Sequence, residues 1–303
     1  MIPISCQFFF YFFFIPSLSS GADTLSVNKS LYGNQTLISL AENFELGFFK
    51  PGESQNYYIG IWYKKVKTRT IVWVANRETP ISDAFSSKLQ IVNANLVLLN
   101  ESNTQIWSTN ISPMFVSVAP PIKSFPTPTP NTYTHNFCMG DLLDDGNLVL
   151  RYNLSSSSIT PIWQSFDHPT HTFLPGGKLG YNKRTNMKQI ITSWKSIEDP
   201  ASGLFSVEID QTENQYLLLW NRSQVYLASG SWDGKIFSSM PEMRSNNVNN
   251  FSHIDNENES YFTFSMYNST LTSRCIIDVS WQFQLHAYIE TTAEWAFFWS
   301  QPR

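Results

Sequence analysis

Three side chains that could form a hydrolytic triad lie together just past the middle of the chain. Ser165, Asp167 and His168 supply a hydroxyl, a carboxylate and an imidazole. Catalytic triads are assembled in space by the fold, so closeness in sequence is no evidence for one. The chain also has no Gly-x-Ser-x-Gly turn to present a nucleophilic serine. We therefore interpret this segment as a structural loop and predict no catalytic residue.

Metal and phosphate chemistry are equally poorly supported. His168 and His171 could form a ligand pair, but Pro169 disfavours a helical spacing, and no third ligand is evident. No glycine-rich loop followed by a catalytic lysine occurs, and no His-Arg-Asp string is present. We predict that the chain binds no metal and no cofactor, and that it contains no kinase active site.

A repeated unit organises the first half of the chain. An alternating apolar strand, a turn and a tryptophan recur three times, with a similar spacing from strand to tryptophan. Each unit is too small to bury its own apolar face, so the three are expected to share one core. The pairs are Ile61 with Trp73, Val97 with Trp107, and Val149 with Trp163.

The composition favours β-structure. The 303 residues include 10 Trp, 13 Tyr and 23 Phe, and charged residues are only 15%; aromatic side chains are enriched in strands. The net charge of −4, without a basic patch, makes nucleic acid an improbable partner. In the second half, Trp194, Trp220 and Trp232 suggest one large ring per strand pair. We predict strands at residues 190–194, 204–210, 215–220, 261–267, 280–289 and 293–299, and a long loop at residues 245–250.

The N-terminus predicts secretion. Residues 1–22 resemble a signal peptide, with an apolar run over residues 8–15 and small residues before the expected cleavage site. No later apolar run approaches the roughly 20 residues of a membrane helix. Nine Asn-x-Ser/Thr sequons predict N-glycosylation, at Asn28, Asn34, Asn100, Asn110, Asn153, Asn221, Asn250, Asn258 and Asn268.

Two further features leave alternatives open. Cys138 and Cys275 could pair in an oxidising compartment, but two cysteines are no framework, and unpaired thiols are slightly favoured. Residues 112–136 are rich in Pro and Thr, and Pro cannot donate to a strand ladder. We interpret them as an insertion that is a surface loop or a gene-model artefact, in preference to a recognition or O-glycosylated segment.

Specific strings carry a family resemblance. Asn95-Leu-Val97 and Asn147-Leu-Val149, each followed by Ile-Trp, look like bulb-type mannose lectins. The string WQSFDHPTHTFLP at residues 163–175 and the later TSWK at residues 192–195 resemble plant S-locus glycoproteins and their receptor-kinase relatives. The resemblance implies an all-β chain: a bulb-type lectin β-prism of three small sheets over residues 23–175, then a β-rich, lectin-like S-locus glycoprotein domain over residues 176–303, incomplete at its C-terminus.

The resemblance also implies a sugar site on each repeat. The family pattern is Gln-x-Asp-x-Asn-x-Val-x-Tyr, whose polar side chains hydrogen-bond sugar hydroxyls from one face of a strand. The third repeat keeps Asp145, Asn147 and Val149, and the second keeps Asn95 and Val97. In our alignment the first repeat keeps only Gln55 and Tyr63 at its ends.

With so many polar partners lost, we expect Asn95 and Asn147 to hold turns and strands together. We thus predict a non-enzymatic extracellular recognition glycoprotein, of the kind that acts in pollen recognition or defence, secreted or on the outer face of the plasma membrane. A peptide or protein ligand is expected more than a mannose-type glycan. The rival readings are a working mannose lectin and a fragment of a serine/threonine receptor kinase. The family implies homodimers or association with a receptor kinase as further partners.

Overall fold

The computed structural model describes residues 22–111, 138–152, 161–245, 247–268 and 270–302. In these residues the fold is all-β, with six small antiparallel sheets and two short 3-10 turns, Ser165–Asp167 and Pro241–Ser245. The predicted signal peptide, apart from its last residue, and the Pro/Thr-rich insertion at residues 112–136 lie outside the described residues. The all-β prediction is confirmed.

Three four-stranded sheets form the first half. The first contains β3 (Thr36–Ile38), β4 (Phe44–Phe49), β5 (Tyr58–Tyr63) and β6 (Ile71–Val74), in that order. The second is ordered β2 (Ser30–Leu31), β7 (Lys88–Val92), β8 (Asn95–Leu99) and β9 (Gln105–Ser108). The third is ordered β1 (Thr24–Ser26), β10 (Cys138–Leu142), β11 (Leu148–Tyr152) and β12 (Trp163–Gln164).

The three repeat tryptophans meet at the centre of these sheets. The ring centroids of Trp73, Trp107 and Trp163 are 5.9, 6.0 and 6.1 Å apart, and each pair is edge-to-face, with interplanar angles of 69° to 76°. Aromatic rings favour this geometry because a positive edge meets a negative face. Each sheet contributes one ring from its last strand, so the cluster has approximate threefold symmetry. The expected shared core is confirmed, and this half is a β-prism.

The same hydrogen bond closes two of these sheets. A hydroxyl two residues after the tryptophan accepts the N–H at the start of the central strand: Leu96 donates to Thr109 Oγ1 at 3.1 Å, and Leu148 donates to Ser165 Oγ at 2.9 Å. In the first sheet the Asn76 side chain accepts the corresponding N–H of Ile59 at 2.8 Å. A buried N–H without a partner is costly, so these acceptors are structural requirements of the fold.

The second half again has three sheets. One is ordered β13 (Thr172–Phe173), β21 (Ser273–Ile277), β22 (Phe283–Ile289) and β23 (Glu294–Gln301). Another is ordered β14 (Leu179–Asn182), β20 (Glu259–Met266) and β19 (Asn249–Asp255). The last is ordered β15 (Ile191–Ser196), β16 (Asp199–Asp210), β17 (Gln215–Trp220) and β18 (Gln224–Ala228). In this last sheet, too, a serine hydroxyl accepts the N–H near the start of a strand: Tyr216 N–H donates to Ser229 Oγ at 2.8 Å.

Tyrosine and phenylalanine, not tryptophan, fill the second core. Tyr216 lies 4.6 Å from Phe237 and 4.9 Å from Phe262 between ring centroids. The expectation of one buried tryptophan per strand pair is wrong, because Trp220 ends β17 on its outward face and is 45% exposed. Of the other two predicted tryptophans, Trp194 packs on the first half and Trp232 lies against the second core.

Other expectations in the second half have mixed outcomes. The predicted strands occur, with ends shifted by a few residues. The expected long loop at residues 245–250 is shorter, since β19 already begins at Asn249.

Cys138 and Cys275 are both buried and unpaired, one in each core. Burial raises the pKa of Cys138 to about 12, which keeps its thiol protonated and unreactive.

Arg77 and Tyr63 join the two halves. The Arg77 guanidinium, which is nearly buried, donates to the carbonyl oxygens of Pro200 at 2.8 Å and Ser193 at 2.8 Å. The Tyr63 hydroxyl donates to the carbonyl of Ser273 at 3.0 Å. Burial lowers the pKa of Arg77 to about 10, so it remains a cation at neutral pH. A buried guanidinium cation is therefore stabilised across this interface by hydrogen bonds to backbone carbonyl oxygens.

Candidate functional site

The register of the strands decides which side chains occupy the former sugar positions. Trp107 and Trp163 pair with Leu98 and Leu150, and Trp73 pairs with Ile61. Asn95 and Asn147 stand three residues before these leucines, and Tyr58 stands three residues before Ile61. Tyr58 therefore occupies the asparagine position in the first repeat. Our alignment of that repeat, with Gln55 and Tyr63 at the ends of the pattern, is wrong by one residue. Such a shift turns every side chain to the opposite face, and Tyr63 is accordingly buried in the core.

The Asn147 side chain makes three hydrogen bonds inside the protein. Its Nδ2 donates to Gln164 Oε1 at 3.0 Å. Its Oδ1 accepts from Ser165 Oγ and from the Phe166 N–H, both at 3.2 Å. The residue is only 6% exposed. Asn147 therefore fastens the start of β11 to the segment that follows Trp163.

Asn95 does the same in the second sheet. Its Oδ1 accepts from Thr109 Oγ1 at 2.9 Å and from the Ile111 N–H at 2.6 Å. Its Nδ2 donates to the carbonyl oxygen of Asn93 at 3.2 Å. A sugar hydroxyl could bind either asparagine only by displacing bonds that hold the strands together. Each such bond contributes about 0.5–1.5 kcal/mol to stability.

The valines at the pattern positions of the second and third sheets are buried, and the polar residues there make contacts within the chain. Val97 and Val149 are 5% and 4% exposed, so little of either apolar surface is open to a ligand. Asp145 is exposed, and its Oδ1 accepts the N–H of Asn147 at 2.9 Å. Arg151, in the place of the family tyrosine, forms an ion pair with the buried Asp141. These contacts replace the open polar groove that a shallow sugar site requires.

The equivalent face of the first sheet is covered by the second half. Tyr58 and Trp62 are 1% and 4% exposed on this face. Gly60 has no room for a side chain, because an added Cβ would lie 2.5 Å from the ring of Phe49. The indole of Trp194 in turn stacks on Phe49, with 6.5 Å between ring centroids. This sheet uses its former ligand face to bind its own chain.

The segment with triad-like residues has no catalytic arrangement. Ser165 Oγ is taken up by Asn147 and by the Leu148 N–H, and the His168 ring stacks on Trp163 at 5.3 Å. Asp167 accepts from Gln164 at 3.0 Å. His171 lies elsewhere, against Trp194 at 5.0 Å. In the described ranges no cluster of three potential metal ligands occurs.

Seven of the nine sequon asparagines are exposed in the structure. Asn100 is half-buried, and its Oδ1 accepts the N–H of Thr104 at 2.9 Å. Asn153 lies outside the described residues. The exposed sites stand on turns and strand ends of both halves, where attached glycans would meet solvent.

Two families match this chain, in the order in which its two halves occur. The D-mannose binding lectin family matches residues 70–195, and the S-locus glycoprotein domain matches residues 227–303. Among curated proteins, a G-type lectin S-receptor-like serine/threonine-protein kinase of Arabidopsis thaliana is 46% identical over 300 residues, which is 98% of this chain and 34% of that protein. Receptor-like serine/threonine-protein kinase SD1-8 of the same plant is 40% identical, over 99% of this chain and 33% of the relative.

The S-locus-specific glycoprotein S6 of Brassica oleracea is 37% identical over 97% of this chain and 63% of that protein. The chain thus spans about a third of the receptor kinases and under two thirds of the glycoprotein. Among solved structures, the Japanese Marasmius oreades lectin matches at 17% identity and a TM-score of 0.31, over 48% of this chain and 92% of that one, and this carries no argument.

The protein is therefore a lectin-type β-prism chain with an S-locus glycoprotein segment. It belongs with the plant S-locus glycoproteins and the corresponding part of the G-type lectin receptor kinases, as the sequence resemblance predicts. In the described residues, no helix is long and apolar enough to cross a membrane.

The structural role of Asn147 can be tested by its removal. Asn147→Ala should lower the free energy of unfolding by roughly 2–4 kcal/mol, because it leaves buried donors without acceptors. Gln55→Ala is the matched control, since Gln55 is exposed and makes one long hydrogen bond of 3.4 Å; it should change stability by less than about 0.5 kcal/mol. Urea unfolding followed by tryptophan fluorescence measures both. Equal effects would show that Asn147 does not fasten the strand.

Buried histidines should make stability depend on pH. Burial lowers the pKa of His171 well below its ordinary value, and neighbouring Arg77 and Arg274 lower it further. Below about pH 6.5 the unfolded chain binds a proton that the folded chain excludes, so stability falls as pH falls, by at most about 1.4 kcal/mol per pH unit for each such group.

His171→Leu should reduce the change in the free energy of unfolding per pH unit, between about pH 6.5 and 5, by the amount that corresponds to nearly one bound proton. His253 is the control, since it is only half-buried and the lowering of its pKa is partly offset by Asp255; His253→Leu should reduce the slope less. Urea unfolding at several pH values measures the slopes. A slope unaffected by His171→Leu would mean that this ring is protonated in the fold.

Proposed function

We propose that this chain is a non-catalytic, extracellular recognition segment whose ligand is a peptide or protein. The receptor-like kinases and S-locus-specific glycoproteins named above match it over almost its whole length, which supports a role in cell-surface recognition. The apolar N-terminal segment and the exposed sequons support a secreted protein or the outer face of the plasma membrane. Homodimers and association with a receptor kinase are the further partners that we propose.

The observation that carries the choice of ligand is the internal bonding of Asn95 and Asn147. Both asparagines of the mannose pattern are bound to their own strands and turns. A weak sugar ligand gains little when each new bond must replace an existing one. Rigid sheets that present loops are instead the usual framework for binding a larger surface.

The division into domains is part of this proposal. We place the boundary near residue 175, because the first buried core takes its members from Leu25 to Leu174, with Tyr288 as the one later contribution. The second core begins at Phe173. The lectin family match extends beyond this boundary, to residue 195. We place no kinase activity within these residues, since both matched domain types are recognition modules rather than catalytic ones.

Chromatography on immobilised mannose separates the proposal from a working lectin. The purified chain should pass through the column, and free mannose should elute nothing. Gln55→Ala should behave in the same way. Retention that free mannose reverses, and that a folded Asn147→Ala variant loses, would contradict the proposal and establish a mannose lectin.

A further inference from the structure

An open cleft lies at the interface between the two halves. It has a volume of about 730 Å³, within the range of protein ligand sites. One wall comes from the first sheet, at residues 49–52 and 68–71. The other wall comes from His171, Trp194, and strand β21 with the turn that follows it. We call this space the interface cleft.

Three cations line the interface cleft, and none has a carboxylate partner. Lys50, Arg69 and Arg274 lie over the rings of Tyr57, Trp62 and Trp295, at 4.5, 4.7 and 4.4 Å from the ring centroids. In the described part of the chain, no ion pair involves any of the three. This positive charge is notable in a chain whose net charge is −4.

The one carboxylate in the interface cleft is already occupied. Asp278 Oδ1 accepts the N–H groups of Ser280 at 3.0 Å and Gln282 at 2.9 Å. Its Oδ2 accepts from Ser280 Oγ at 2.6 Å and Gln284 Nε2 at 2.9 Å. Four donors thus satisfy this carboxylate, and its negative charge is held in its own turn. None of the three cations forms an ion pair with it, and positive charge remains in excess in the cleft.

Two buried donors on the cleft residues also lack acceptors. Among the described residues, neither Arg274 Nε nor the indole Nε1 of Trp194 has a hydrogen-bond partner. Burial lowers the pKa of Arg274 to about 10, so it stays charged at neutral pH. Both donor atoms are fully buried, and a buried donor without an acceptor is costly.

Apolar side chains flank these cations. Ile197 and Val279 line the cleft and are 73% and 42% exposed, and Phe49 and Ile276 lie on its walls. A second large cleft, of about 840 Å³, has two lysines, Lys65 and Lys67, against three carboxylates, Asp144, Asp145 and Glu290. The charged residues that line the interface cleft are thus positive in sum, whereas those that line the second cleft are negative in sum.

We propose that the interface cleft binds a peptide that presents a carboxylate between apolar side chains. Arg274, Arg69 and Lys50 attract the carboxylate, and the isoleucine and valine side chains contact its apolar neighbours. This assignment names a ligand class and a site for the recognition role proposed above, and it rests on that role.

Titration calorimetry of the purified chain with matched hexapeptides tests the assignment. The first peptide alternates Glu and Leu with both ends blocked, and the second has Gln in place of Glu. The Glu peptide should bind at least tenfold more tightly, and its affinity should fall as salt rises. Two further ligands identify the source of the carboxylate: a Gln peptide with a free C-terminus, and sodium acetate alone. Binding through a Glu side chain or through a free C-terminus supports the site. Acetate that binds as tightly as the peptide overturns a peptide site.

Variants localise the binding. Arg274→Gln should weaken binding of the Glu peptide at least tenfold. Arg69 is exposed, so the Arg69→Gln variant should fold normally. This variant should also bind the Glu peptide more weakly. Arg184→Gln, in an exposed turn outside the cleft, is the matched control.

Equal affinity for the Glu and Gln peptides would overturn the proposal. So would unchanged binding in both Arg69→Gln and Arg274→Gln, or no binding by either peptide at concentrations on the order of 1 mM. These failures leave the recognition role standing, because that role is tested separately on immobilised mannose.

Discussion

The structure depends on the contact of three tryptophan rings. Trp73, Trp107 and Trp163 come from three different sheets, and each ring touches both of the others edge-to-face. None of these small sheets could bury its inner face alone. The rings fix how the sheets face one another, and the hydroxyls of Thr109 and Ser165, two residues further on, then fix where the neighbouring strands begin.

That closure explains what has become of the sugar residues. Asn95 and Asn147 stand at the starts of the central strands, beside the segments that follow the tryptophans. Their amide groups bond to these segments, and a residue committed to the scaffold is a poor ligand donor. In the first sheet the corresponding face is apolar and is covered by Trp194. The residues at the mannose-pattern positions thus take part in the scaffold and in the interface.

The interface between the halves has a different chemistry. Arg77 donates to backbone carbonyls, whereas Arg274 has an unsatisfied Nε. The first cation is used for assembly, and the second lines a cleft. The cleft exists only because the two halves are joined, so a ligand there would sense their arrangement as well as its own contacts.

Much of the fold could be predicted from the sequence, because it is written in local patterns. The spacing of the tryptophans predicts the three-sheet core, and the apolar run at residues 215–220 predicts β17, whose bounds match. The register of the first repeat could not be predicted, because nearly every residue of β5 is apolar or aromatic and both faces are buried. Alternation then gives no sign of which side faces the core.

Long-range contacts were equally hidden. Trp220 and Trp194 look alike in sequence, yet one is exposed and the other covers the first sheet, because burial depends on what the fold brings opposite. Nothing local distinguishes Arg77 or Arg274 from surface arginines either. The available signal is that Arg77 follows, and Arg274 lies within, a strand rich in apolar residues, where a charged side chain needs a specific partner.

A double-mutant cycle between Trp73 and Trp163 tests the central claim most directly. Trp73→Leu and Trp163→Leu, singly and together, are compared by urea unfolding, with Trp163→Leu and Trp299→Leu as a reference pair from separate cores. The account predicts a coupling energy of about 0.5–1.5 kcal/mol for the first pair and additive effects for the reference pair. Additive effects within about 0.3 kcal/mol for Trp73 and Trp163 would contradict it.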